Sequence, residues 1–521
     1  MRIARRRWLA QAGALASAAA FPFRVPIASA QSQSTLNALP RLALVIGNTK
    51  YVEAPLKNPG NDAKAIATEL QKTGFDVQLA LDAGRAQMTE VIQAFSTNLA
   101  KQKGVGLFYY AGHGAQLAWR NYLIPVDAEI EKLDDMQTRA VELNALLEGL
   151  IKAHNPMNVI ILDACRDNPF GNKVQTGQKG LSQFDAPPGS LLAYATSPGN
   201  TAADGEGANG LYTENLLREL KTPEAKIEDV FKRVRLNVRL KSGGRQIPWE
   251  TTSLEEDFYF LPPQQVRKLS EAELKKQFDE EFAIWEKIKV AKEPAPLEDY
   301  LRRYPSGRFS ELAQFQLDRV LAKQGEKKIE VVADAANPFS KGTARTDTNF
   351  KIGDSYSFRV IDLLTRLESE KYTETITAIT DTEIVYNDGK TTITDFLGNF
   401  IKDRIGQSFA GMQIAVAEYN IDKKWTTKYR LTRRDGSRDE IEIDLKVVAK
   451  EHITVPAGTF DAFKVEGQGF VKAAGASLKI TYWIAPDKVR RAIALEFVNR
   501  NRFGGYNYTG RRELVSYRQS D

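Results

Sequence analysis

Apolar positions along the chain follow two patterns and then change to a third. Between residues 41 and 262, short apolar runs alternate with longer stretches in which apolar residues recur every three or four positions. The runs at 42–47, 77–81, 105–110, 159–164 and 191–195 predict strands. Those at 105–110 and 159–164 are apolar or aromatic until they end in small or polar residues, as central strands buried on both faces are. Helices are predicted at 61–73, where Ala63, Ile66, Ala67 and Leu70 share a face and Gly74 is the stop, and at 85–99, 141–153, 211–220 and 227–238. The triplet 258–260 is read as the last strand of the sheet. This alternation predicts an α/β fold over residues 41–262, a mostly parallel sheet flanked by helices.

The pattern changes at Pro262-Pro263. Residues 263–330 form a short helical region, charged and helical over 270–323, with Trp285, Tyr300, Phe309 and Leu312 as pairing faces. The turn Tyr304-Pro305-Ser306-Gly307-Arg308-Phe309 resembles that of tetratricopeptide-like helical hairpins in bacterial envelope proteins, which implies a spacer or a docking surface for a protein partner. Residues 331–521 carry many short alternating runs. One, at 372–386, meets the hairpin signal Asn387-Asp388-Gly389. They predict a C-terminal antiparallel β-rich domain, a sandwich or an open barrel. Val455-Pro456-Ala457-Gly458-Thr459-Phe460 resembles a turn of periplasmic β domains and carries no chemistry.

Composition narrows the classes. At 521 residues and 42% hydrophobic, the chain can bury two to four cores. Residues 1–30 read as a signal peptide. Arg5-Arg6-Arg7-Trp8-Leu9 is twin-arginine-like, a small apolar stretch follows, and Ala28-Ser29-Ala30 is an A-x-A cleavage site. An ordinary secretory signal is the alternative. Pro22, Arg24 and Pro26 interrupt the apolar run short of a membrane span, so the expected location is periplasmic or secreted, with no transmembrane span in the mature chain. Removing the leader's five Arg from 72 basic residues leaves 67 against 66 acidic ones. The basic balance therefore belongs to the leader, and nothing supports nucleic acid as a partner. The chain has one Cys, so no internal disulfide can form. No cofactor, metal or calcium-loop signature is present, and none is expected.

The candidate chemistry lies where two central strands end. Tyr109-Tyr110-Ala111-Gly112-His113-Gly114 delivers a histidine, and Leu162-Asp163-Ala164-Cys165-Arg166 delivers the cysteine. Strand carboxyl ends are where α/β sheets build sites, and an imidazole beside a thiol can lower its pKa and carry its proton. Asp163, two residues before Cys165, is expected on the same face of its strand. Of the other histidines, His154 falls at a helix end and His452 in the β-rich region.

These motifs, with Leu44-Val45-Ile46-Gly47-Asn48, Tyr51 and Pro59-Gly60-Asn61-Asp62-Ala63, resemble the caspase-like cysteine peptidase superfamily in its bacterial metacaspase/paracaspase-like branch. Tyr194-Ala195-Thr196-Ser197-Pro198-Gly199 and Gln246-Ile247-Pro248-Trp249-Glu250 are similar to later segments of that family. The separation of His113 and Cys165, 52 residues, is close to the roughly 50 of caspases. The resemblance implies Cys165 as nucleophile, His113 as general base and acid, and the backbone N–H groups of Gly114 and Cys165 as oxyanion donors. Gly112 and Gly114 would leave room for the scissile carbonyl. It further implies a pocket for a basic residue lined by Asp62, Asp163 and Asp204, since carboxylates favour Arg or Lys. Asp62 also suits the first-turn acid of the helix starting there. Arg166-Asp167-Asn168 departs from the Ser-Gly or Gln-Gly found after the Cys in many members. The long connection 167–190 offers Lys173 and Lys179 for self-cleavage. The expected function is an exported cysteine endopeptidase that cuts protein or peptide substrates after Arg or Lys. The alternative is an inactive caspase-like scaffold of the bacterial envelope.

Overall fold

The computed structural model describes residues 35–165, 170, 174, 180–197, 200, 207–264, 269–326, 337–340, 342–472 and 474–520, with the side chain of Cys165 outside that set. The α/β domain runs β1 (Arg41–Gly47), α1 (Pro59–Lys72), β2 (Asp76–Leu81), α2 (Arg85–Gln102), β3 (Val105–Leu117), β4 (Arg120–Leu123), α3 (Asp135–Arg139), β5 (Val141–Glu142), α4 (Leu143–Ala153), β6 (Met157–Cys165), β7 (Ser190–Tyr194), α5 (Leu211–Glu219), α6 (Ile227–Lys241) and β8 (Trp249–Thr252). The sheet order is β2-β1-β3-β6-β7-β8. It is parallel as far as β7, and β8 is antiparallel to β7. Alternate residues feed two cores. Val45, Leu107, Tyr109 and Ile161 pack under α1, α5 and α6, while Leu44, Phe108, Ile160 and Leu162 pack under α2 and α4. Both faces are covered, which is why these strands read as continuous apolar runs.

Three sequence expectations change. The last strand is Trp249–Thr252, not 258–260; Phe258 and Phe260 are buried in the core beside α6 as an edge-to-face pair. Tyr259 makes only an isolated bridge, to Lys226, and burial outside the sheet leaves the same apolar signature as a strand. The helix expected at 141–153 starts at Leu143, because Val141 and Glu142 pair with β4. Third, β3 does not end at the histidine. It continues to Leu117 and turns back antiparallel as β4.

The helical stretch is three helices, α7 (Glu271–Ile288), α8 (Pro294–Arg303) and α9 (Ser310–Lys323). Ser270 and Glu273 close α7 with a capping box. Leu236 of α6 and Leu397 of the β-rich region join their apolar cluster. The C-terminal part is a closed antiparallel barrel of 12 strands, rather than a sandwich or open barrel. Each strand follows its neighbour, and the first (Ser355–Ile361) pairs with the last (Tyr506–Arg518). Long-range closure of this kind has no local signature. The run expected at 372–386 splits into Glu368–Ile379 and Ile384–Tyr386, and the hairpin at Asn387-Asp388-Gly389 links the latter to Ile393–Thr394. No helix among the described residues is long and apolar enough to cross a membrane.

Candidate active site

Strand β6 lies beside β3 in parallel register, with Ala111 opposite Asp163 and Gly114 opposite Cys165. Gly112 and His113 together therefore face Ala164, a β-bulge that turns the local backbone. Gly112 has φ 156°, and a Cβ there would lie 2.5 Å from the Tyr51 hydroxyl and 2.8 Å from that of Tyr110. At Gly114 the space is taken by Ala164 and Leu181. At both glycines the space a Cβ would take is thus filled by the protein itself. What the glycines permit is close packing around His113. Gly114 is paired on both sides, with Cys165 and with Leu123.

His113 is 4% exposed, and the groups around it fix its orientation. Its N–H donates to the Tyr51 hydroxyl at 2.8 Å, and its carbonyl accepts from Tyr110 at 2.8 Å and from the Ile124 N–H at 3.0 Å. The Tyr51 ring sits 4.3 Å from the imidazole. Ring Nε2 lies 2.7 Å from the carbonyl of Ala54. A carbonyl only accepts, so Nε2 carries a proton, and in the neutral ring Nδ1 is the basic nitrogen. Ala54 itself has φ 52°, a conformation unusual for a residue with a side chain. Its loop is anchored at Thr49 and Lys50, whose N–H groups donate to Asp82, and at Asn48, whose side chain bridges Ala83 and Ile124. Tyr51 and the Ala54 carbonyl were not assigned roles from sequence. Tyr51 stood within a quoted motif, whereas a backbone carbonyl leaves no residue-type signal.

Two of the three acids come together. Asp62, 2% exposed, accepts through Oδ1 from Gly210 N–H at 3.0 Å and from the Asn209 side chain at 2.8 Å. It thereby satisfies the start of α5, a different helix from the one it belongs to, and a carboxylate is favoured at that end. Asp163 Oδ2 accepts from Thr213 in the first turn of α5 at 2.8 Å, and Thr213 accepts from Tyr109 at 2.7 Å. Burial first, then the charges of Asp163 and Asp62, push the Tyr109 phenol well above its usual range. It stays a neutral donor. Asp204, Lys173, Lys179, Arg166-Asp167-Asn168 and Pro198-Gly199 lie outside the described residues. His154 caps the C-terminus of α4, ahead of β6 and about 25 Å from its far end. His452 is exposed on the barrel, 3.8 Å from Asp461.

Residues 181–185, beyond the cysteine, form a braced segment. Leu181 packs on Gly114, and Ser182 is tied to Trp119 of the β3–β4 turn and to Asn121 of β4. From the other side, residues leading into the barrel hold it. Asn337 donates to the Gln183 carbonyl at 2.8 Å, Gln183 to Thr343 at 2.6 Å, and Asp185 N–H to the Phe339 carbonyl at 3.0 Å. Phe184 stacks on Phe339 at 4.8 Å. The Tyr194 and Trp249 motifs are also neighbours, paired across β7 and β8.

Residues 40–259 match the family model of the caspase domain. Over 186 residues the chain is 29% identical to human mucosa-associated lymphoid tissue lymphoma translocation protein 1 and to its mouse homologue. The match covers 34% of this chain and 22% and 21% of those proteins. The chain thus spans about a fifth of the length of the curated relatives it matches. The segment 40–259 is a caspase-like domain, a peptidase fold. It is similar there to the human and mouse proteins named above, in line with the paracaspase-like resemblance.

Proposed function

We propose that the protein is a cysteine endopeptidase that cuts after Arg or Lys, with Cys165 as nucleophile and His113 as its base. The observation that carries this reading is the setting of His113. Its Nε2 is engaged by a carbonyl, which leaves Nδ1 to exchange protons, and the bulge seats it beside the strand that ends in Cys165. In this mechanism His113 removes the thiol proton, the thiolate sulfur bonds to the scissile carbonyl carbon, and the oxyanion is met by the N–H groups of Gly114 and Cys165. His113 then gives the proton to the leaving amine. Water, deprotonated by His113, releases the acyl group. Selection of a basic residue rests on Asp62 and Asp163, gathered at the start of α5, and on Asp204. Export through the leader and self-cleavage at Lys173 or Lys179 belong to the same proposal.

The test is hydrolysis of fluorogenic Arg, Lys and neutral peptides by the mature protein, with Cys165→Ala as control. Cys165-dependent cleavage after the basic residues is expected. A folded protein that neither cleaves them nor reacts with a thiol-directed active-site probe overturns the reading in favour of a scaffold. Intact mass of the incubated wild type against Cys165→Ala reports self-cleavage.

A further inference from the structure

The closed barrel has two ends, and they differ. One faces the helices: Gly411 lies against Phe309, Arg319 sits 3.7 Å from the Phe396 ring, and Lys423 pairs with Glu311 at 3.2 Å. The other is formed by the hairpin turns at 362–367, 403–407, 433–437, 472–475 and 501–505, and it carries apolar side chains into solvent. Sixteen large hydrophobic residues are exposed among the described residues, and seven are here. Leu364, Leu367, Ile405 and Phe503 stand on turns, with Phe503 83% exposed, and Phe470, Tyr506 and Tyr508 are just behind. A monomer seldom presents such a cluster without a use for it.

Within these turns basic residues outnumber acidic ones: Arg366, Arg404, Arg433, Arg434, Lys472 and Arg502 stand against Asp362, Asp403 and Asp435, with Arg438 and Arg500 just behind. The acids of the turns are spent on their own backbones: Asp362 accepts from Leu364 and Thr365, Asp403 from Ile405 and Gln407, and Asp435 from Ser437. Arg404 and Arg433 pair with Glu370 and Asp439. The barrel wall is unsuited to lipid, since Ile441, Ile443 and Leu445 point inward while Asp444 and Lys446 alternate outward. Apolar tips ringed by arginines, above a charged wall, match a surface that seats in a headgroup layer and penetrates no further.

We propose that this end of the barrel docks on an anionic phospholipid surface. Arginines meet the phosphates while Leu364, Leu367, Ile405 and Phe503 enter the acyl boundary. The test is co-sedimentation of the full chain with vesicles of phosphatidylglycerol and phosphatidylcholine, against phosphatidylcholine alone. Binding to the anionic vesicles, weakened by salt, is expected. Arg500→Gln with Arg502→Gln should lower affinity roughly 20-fold, about fivefold for each charge, and Leu364→Ser with Phe503→Ser should lower it comparably, with melting temperature unchanged. Equal binding to neutral vesicles, no binding, or indifference to both variants overturns the proposal. So does a dimer in sedimentation velocity that the Leu364→Ser, Phe503→Ser variant dissolves, because the tips then cover a second copy. Cys165→Ala should bind vesicles as wild type does, so this outcome is independent of the peptidase reading.

Discussion

At the scale of single residues, the site depends on hydroxyl groups as much as on its histidine. Tyr51 accepts the His113 N–H, donates to the Ile124 carbonyl and packs its ring, tilted, against the imidazole. Tyr51→Phe keeps the ring and strands a buried N–H, which costs about 1–3 kcal/mol. The expected outcome is a lower melting temperature together with a fall in kcat and a displaced pH–rate profile, while KM changes little. Asp163 accepts a hydrogen bond from Thr213. Asp163→Asn should lower kcat/KM for Arg and Lys peptides roughly 10- to 100-fold, the worth of a charge-assisted hydrogen bond, and leave neutral peptides nearly unaffected. A uniform loss over all peptides would assign Asp163 to folding alone. His113 and Asp163 were legible because side chains with chemistry announce themselves. The Ala54 carbonyl was not, because every residue has one and only the loop's path aims it.

At the scale of elements, a bulge and a brace do the positioning. The bulge at Gly112 and His113 allows β3 to continue into the β3–β4 turn, which in turn holds Ser182. The segment 181–185 is therefore gripped between that turn and Asn337, Phe339 and Thr343, and Leu181 carries the contact to Gly114. Phe339→Ala removes the ring stacked on Phe184. We expect faster amide hydrogen exchange across 181–186 and a several-fold lower kcat/KM, without a matching loss of overall stability. Unchanged exchange there would show that the hydrogen bonds hold the segment without the aromatic pair. Periodicity found the strands β3 and β6 but stopped β3 at the glycines, since a bulge breaks the alternation that marks a strand.

At the scale of the molecule, the three regions share contacts rather than hanging on linkers. Leu236 of the caspase-like domain enters the apolar cluster of α7–α9, Leu397 of the barrel enters it from the other side, and Arg239 pairs with Glu326 and Asp318. Leu236→Ala, at a buried position, should cost about 2–5 kcal/mol. It should lower the unfolding transition of the caspase-like domain and that of the helices together in calorimetry. Separate transitions, with only one of them shifted, would show that the regions fold independently. Within the barrel, Arg491 and Glu374 form an ion pair buried to 2% on both sides. Arg491→Met leaves that carboxylate uncompensated and should destabilise the barrel by about 3–5 kcal/mol.

By itself the sequence determined the parallel sheet and its helices, the strand-rich C-terminal region and the positions of the histidine motif and the single cysteine on two strands of that sheet. These follow from local patterns: apolar periodicity, turn residues and short motifs whose chemistry is in their side chains. Tertiary structure alone decided the closure of the barrel, the filling of the glycine spaces by Tyr51, Tyr110 and Leu181, the engagement of Asp62 with a helix it does not belong to, and the brace from residues 337–343. Nearly all of these join residues far apart in the chain, from Leu181 on Gly114 to Tyr356 opposite Tyr517. Such contacts are selected by which surfaces remain to be buried once the elements exist, and no local pattern encodes that choice.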